Sequence, residues 1–186
     1  MQVQRIHHVA YRCRDAKETV DWYVKYLDMD FILAIAEDEV PSTKAPDPYM
    51  HVFLDAGAGN VLAFFELPNS DEMGKDPNTP EWVQHLALKV GSMAELEEAK
   101  ARFEADGIDV LGPVNHTLFQ SIYFFDPNGH RIELAANTHT ADMSQKLDTV
   151  KWEMLEEWSR TKRAPSQARW MHDGSVTPDF DRKETS

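Results

Sequence analysis

At 186 residues the chain is long enough for one domain, or for two small fused modules sharing a core. Nineteen Lys and Arg against 32 Asp and Glu leave a net charge of −13, which argues against nucleic acid and against anionic membrane surfaces as partners. A single cysteine, Cys13, excludes an internal disulfide framework and suits a reducing cytoplasm; the longest apolar runs, such as Val61 to Phe65, fall far short of a bilayer span, and Met1 to Ile6 lack the apolar stretch of a signal peptide.

In chain order, residues 6–13 read as a strand, on whose alternating pattern Cys13 is a small core residue. Asp15 reads as an N-cap, and Val20, Tyr23, Val24 and Leu27 follow with helical spacing. Phe31 to Ala36 returns to strand. Glu37 to Pro48 is polar, holds Pro41, Pro46 and Pro48, and reads as a loop or pocket rim. His51 to Asp55 and Asn60 to Leu67 are strands joined by a Gly-rich turn. Pro68 to Pro80 reads as a linker.

The order then repeats. His85 to Val90 is a strand. Ser92 and Glu95 open a helix with Leu96, Ala99 and Phe103 on its apolar stripe, which Gly107 ends. Val110 to Leu111, Gln120 to Phe125 and His130 to Ala135 are strands. Asp126-Pro127-Asn128-Gly129 turns between the last two, where His130 is expected to be solvated. Met143 to Arg160 reads as an amphipathic helix. The polar remainder has no period, with Trp170 and Met171 as anchors on this chain or on a second copy in a homodimer. The boundaries are 1–68 for a first βαβββ module, 69–80 for the linker, 81–137 for a second module and 138–186 for the C-terminal helix and tail.

Each half opens a strand with His and later carries Glu inside an apolar strand: His8 and Glu66, then His85 and Glu133. His7, next to His8, should face the other way by strand alternation. A carboxylate in an apolar run is costly unless it is paired. Two His and two Glu brought together by a repeat are the ligand types of a divalent metal site.

Residues 5–136 resemble the vicinal oxygen chelate superfamily, which includes glyoxalase I, extradiol ring-cleaving dioxygenases and bleomycin and fosfomycin resistance proteins. The resemblance implies an α+β fold: paired βαβββ modules whose curved mixed sheet surrounds a metal cleft, here with a C-terminal helical extension. The segment Val114-Asn115-His116, then Ile122-Tyr123, Asp126-Pro127-Asn128-Gly129 and Glu133, is similar to the signature of type I extradiol dioxygenases. That likeness implies Fe(II) held by His8, His85 and Glu133, with His116 and Tyr123 as catalytic groups. The substrate is then a catechol-like aromatic with two vicinal oxygens, cleaved with dioxygen in aromatic catabolism. Those enzymes carry a further His near the position of Asn60; this chain has none there, and His51 lies on the neighbouring strand. The set His8, Glu66, His85 and Glu133 also resembles glyoxalase I-like lactoylglutathione lyases, with Glu66 as a fourth ligand or as a partner to a ligand His and with Ni(II), Zn(II), Co(II) or Mn(II) in place of iron. A third branch is the non-catalytic binding protein of the bleomycin-resistance kind.

Overall fold

A computed structural model describes residues 1–183; residues 184–186 of the expected tail lie outside the described residues. The first half runs β1 (Val9–Cys13), α1 (Ala16–Leu27), β2 (Asp30–Glu37), β3 (Tyr49–Asp55) and β4 (Val61–Glu66). The second runs β5 (Leu86–Val90), α2 (Met93–Ala105), β6 (Leu111–Asn115), β7 (Phe119–Phe125) and β8 (Arg131–Asn137), followed by α3 (Ala141–Thr161) and a 3₁₀ turn at Ser166–Met171. The expected α+β architecture of two βαβββ modules and a C-terminal helix is present, with the strands in two four-stranded sheets. Their orders are β1-β4-β3-β2 and β5-β8-β7-β6. In each, the first strand runs parallel to the last, the right pairing for a strand that leaves through a helix before the sheet returns. No helix among the described residues is long and apolar enough to cross a membrane.

The chain divides into two compact units. One is Met1–Gln84 with Phe125–Arg131; the other is His85–Phe124 with Ile132–Ser186. In the first, Asp15 caps α1 by accepting from the Glu18 amide at 2.8 Å. The α1 side of the sheet forms the core, with Tyr23, Phe64, Leu54, Leu62 and Val52 buried and the Tyr23 and Phe64 rings 5.0 Å apart. In the second, Ser92 caps α2, and Phe103 meets Phe124 edge to face at 4.7 Å above Ile122, Ile132 and Leu134. Alternation along β7 and β8 sends Ser121, Tyr123 and Glu133 to the opposite side of that sheet.

The turn between β7 and β8 belongs to the first unit and is its polar lock. Gly129 takes the positive φ of +86° that the turn requires. Asp126, 5 % exposed, accepts from the Tyr23 hydroxyl at 3.0 Å, from the Asn128 amide at 2.9 Å and from the His130 amide at 2.8 Å. Asn128 in turn donates to Thr19 Oγ1 and accepts from the Arg14 amide. His130 corrects the expectation of a solvated side chain. It is half-buried, its ring lies 4.9 Å from that of Tyr11, and its Nε2 is 2.7 Å from the Arg12 carbonyl. The cause is the docking of this turn onto the first unit.

Burial, then the Asp126 charge, pushes the Tyr23 phenol well above its ordinary range, so it remains a donor at all working pH values. Replacing it by Phe leaves the buried carboxylate one donor short. Tyr23→Phe should lose about 1.5–3 kcal/mol of stability, the worth of a hydrogen bond to a charged group, read from chemical denaturation. Burial, more than the neighbouring Glu66, Asp15 and Asp126 charges, raises the Cys13 thiol to about 11, against a lowering bond from Thr19. Native protein at pH 8 should therefore leave a thiol reagent such as DTNB unreacted, and denaturant should release one equivalent.

Candidate metal and substrate site

The chemistry-bearing residues of the second unit lie on the sheet face opposite α2. Glu133 is paired with Ala87 of β5, and His85, immediately before β5, stands beside it. His85 Nε2 and Glu133 Oε2 are 2.9 Å apart. Two ligands at about 2.1 Å from one ion, at right angles, stand about 3 Å apart, so the pair has the spacing of adjacent ligands. Ser121 Oγ donates to the other oxygen, Glu133 Oε1, at 2.5 Å. The carboxylate is buried at 3 % exposure, while the His85 side chain keeps 31 % of its surface. The pair offers an ion two donors, an oriented carboxylate and a neighbouring, partly exposed imidazole.

Beside this pair stand the other two expected groups. His116 Nε2 and the Tyr123 hydroxyl share a 2.9 Å hydrogen bond, and the Tyr123 ring meets His85 edge to face at 6.0 Å. His116 follows β6 in a tight turn. There Thr117 takes φ +68°, and the Asn115 carboxamide oxygen accepts from the Thr117 amide at 2.7 Å and from Gln120 Nε2 at 2.6 Å. Ser121 is a site residue that the sequence reading missed. Its one signal was alternation, since it sits two residues before Tyr123 on the same strand.

In the first unit His8 lies just before β1 and is exposed. Its Nδ1 is 2.8 Å from His7 Nδ1, and its ring meets Phe53 at 5.8 Å and His51 at 6.2 Å. The expectation that His7 points away fails because β1 begins only at Val9, so strand alternation does not govern residues 7 and 8. Among the described residues no three His, Cys, Asp or Glu side chains form a cluster of metal-holding geometry.

Glu66 corrects the expected match to Glu133. The position equivalent to Glu133 is the partner of the residue two beyond the strand-opening His. That partner is Glu133 opposite Ala87, and Ala63 opposite Ala10. Glu66 lies three residues further on, opposite Cys13, and three is an odd step that reverses its face. Its Oε2 accepts from the Ala16 amide at 2.7 Å. There it satisfies an orphan donor and the positive end of α1, on the helix side of the sheet.

A family model described as the Glyoxalase/Bleomycin resistance protein/Dioxygenase superfamily matches residues 5–134. Among curated proteins the chain is 26 % identical over 140 residues to a putative ring-cleaving dioxygenase, MhqA, of Bacillus subtilis; the match covers 74 % of this chain and 42 % of MhqA. The chain thus spans about two fifths of that relative's length. Among solved structures, the trypanothione-dependent glyoxalase I of Leishmania major matches at TM-score 0.54 and 19 % identity, over 84 % of this chain and 99 % of that one. A glyoxalase/bleomycin resistance/dioxygenase domain from Frankia matches at TM-score 0.57 and 18 % identity, over 73 % and 99 %. These two likenesses are of fold. With the family model spanning most of the chain and both βαβββ modules present, the protein belongs to the glyoxalase/bleomycin resistance/dioxygenase superfamily.

Proposed function

We propose that this protein is a metal-dependent ring-cleaving dioxygenase of the extradiol kind, acting on a catechol-like aromatic. The observation that carries the reading is the second sheet's face, where a bonded His116–Tyr123 pair stands next to the His85–Glu133 pair. The likeness to MhqA supports it. His85 and Glu133 would supply an imidazole and a carboxylate to a divalent ion, Fe(II) in this reading. When bound, that ion supplies open positions for two adjacent substrate oxygens and for dioxygen, and the redox capacity to join them.

The chain's own residues perform the rest. Ser121 fixes which oxygen of Glu133 is left for the ion. Tyr123 presents a phenol hydroxyl as a hydrogen-bond donor. His116 shares its Nε2 hydrogen bond with Tyr123 and is the group able to pass a proton by that route. The glyoxalase-type alternative calls for a second Glu ligand in the first module, and Ala63 stands at that position. A non-catalytic binding protein would have no use for a positioned acid–base pair. On the same footing we place the protein in the cytoplasm, where its one thiol is stable, and read it as a homodimer.

Oxygen-electrode assays with Fe(II) and a panel of catechols should show oxygen uptake matched by a yellow ring-fission product. Absence of uptake with every catechol, alongside turnover of methylglyoxal–thiol adducts with Ni(II), would overturn the reading. His116→Ala should retain metal yet lose activity by about 10²–10⁴-fold, as expected for a lost acid–base group. Metal analysis separates the two glutamates. Glu133→Ala should lose the ion, whereas Glu66→Ala should keep it and instead cost about 1 kcal/mol of stability through the uncapped α1 amide.

A further inference from the structure

The first sheet, too, has a face turned away from its helix, and that face is aromatic. β3 places His51 and Phe53 there, with Phe65 opposite His51 and Ala63 opposite Phe53. Ile35 and Leu33 of the edge strand continue the surface and are 42 % and 46 % exposed. His51 lies flat against Phe65, ring centroids 3.5 Å apart and planes 17° from parallel, and 4.0 Å from Phe53. It is only 8 % exposed, and its Nε2 is buried without a hydrogen-bond partner.

That combination is costly. A buried ring nitrogen without a partner forfeits its hydration, and an apolar side chain of similar shape would pack against Phe53 and Phe65 without that loss. Buried among rings, a neutral imidazole offers one N–H and one lone pair. The surroundings select the missing partner. It must be flat enough to lie against Phe53 and Phe65, and it must carry one small polar group to meet an uncharged imidazole nitrogen. A charged group would be poorly solvated among these rings.

We propose that His51, Phe53 and Phe65 form a recognition site for an aromatic ring bearing a neutral hydroxyl, with His51 Nε2 as the hydrogen-bond partner of that hydroxyl. The inference deepens the ring-cleaving reading, on which it rests for the ligand's biological class. His51 becomes the residue that selects a phenolic ring over a purely apolar one.

The test uses metal-stripped protein, so that it stands apart from the metal-site reading. Binding of 4-fluorophenol and of 4-fluorotoluene, nearly isosteric probes, is followed by fluorine NMR after treatment with EDTA. The native chain should bind the phenol about fivefold more tightly, the worth of one neutral hydrogen bond. His51→Phe should bring the two affinities together, and His51→Gln, whose amide can still bond, should restore part of the preference. In the native chain the His51 Nε2 nitrogen signal should shift with the phenol and not with the toluene, a readout that needs no variant to fold. Equal binding of both probes, no binding of either, or an undiminished preference in His51→Phe would overturn the proposal. Failure of oxygen uptake with iron restored, with the phenol preference intact, would instead count against the ring-cleaving reading alone.

Discussion

The buried carboxylate of Glu133 is the constraint around which the second unit is arranged. An ionised carboxylate deep in a sheet has several kcal/mol of desolvation to offset, and it persists only where partners take up its lone pairs. Here Ser121 takes one oxygen and His85 the other. Ser121 arrives on β7, and His85 stands immediately before β5. Glu133 and Ser121 are thus held by strands whose formation is inseparable from folding. The same pairing leaves His85 partly accessible, where a closed core pair would have hidden it.

The first unit shows what the same topology does with other residues. Its strands have the same order and the same parallel closure, so each position has a counterpart in the second sheet. At the address of Glu133 stands Ala63, and the face around it is filled by rings. One module therefore presents a charged, polar face and the other an aromatic one, with one strand-opening His in each. Glu66 has been drawn into the fold itself, as an acceptor at the first turn of α1.

Most of the architecture is legible in the sequence because it rests on local signals. The Asp15 and Ser92 caps, the helical stripes, the Asn128-Gly129 turn and the alternating strands each follow from short-range chemistry, and the elements fall where they are expected. His85, Glu133, His116 and Tyr123 are legible for a related reason, since three of them lie within one hairpin-rich segment whose spacing constrains their geometry. The facing of Glu66 is not legible in the sequence, because it is set by its pairing with Cys13 and not by the apolar run around it. The 37–48 loop hides that register by changing the distance between the halves. His130 was misread because the docking of its turn on Tyr11, Arg12 and Tyr23 joins residues more than a hundred positions apart, which no periodicity encodes.

The C-terminal segment, outside the family match, bears on the site through one hydrogen bond. Thr117, in the left-handed conformation beside His116, donates its hydroxyl to the Met171 carbonyl at 2.6 Å. The segment beyond it is pinned in turn, with the Asp179 amide on the Thr138 carbonyl and Arg182 on the His139 carbonyl. A non-glycine residue with positive φ costs of order 1 kcal/mol or more and persists only where its surroundings over-determine it. At Thr117 three contacts do so: the Asn115 side chain, the short turn back to Phe119, and the Met171 carbonyl. The tail thus stabilises the one backbone conformation that aims His116 at Tyr123. Its sequence needs no period to do this, because the contact is made by a main-chain carbonyl held in place by a 3₁₀ turn. The segment that looked least informative by composition is the one that fixes the orientation of the proposed proton-handling group.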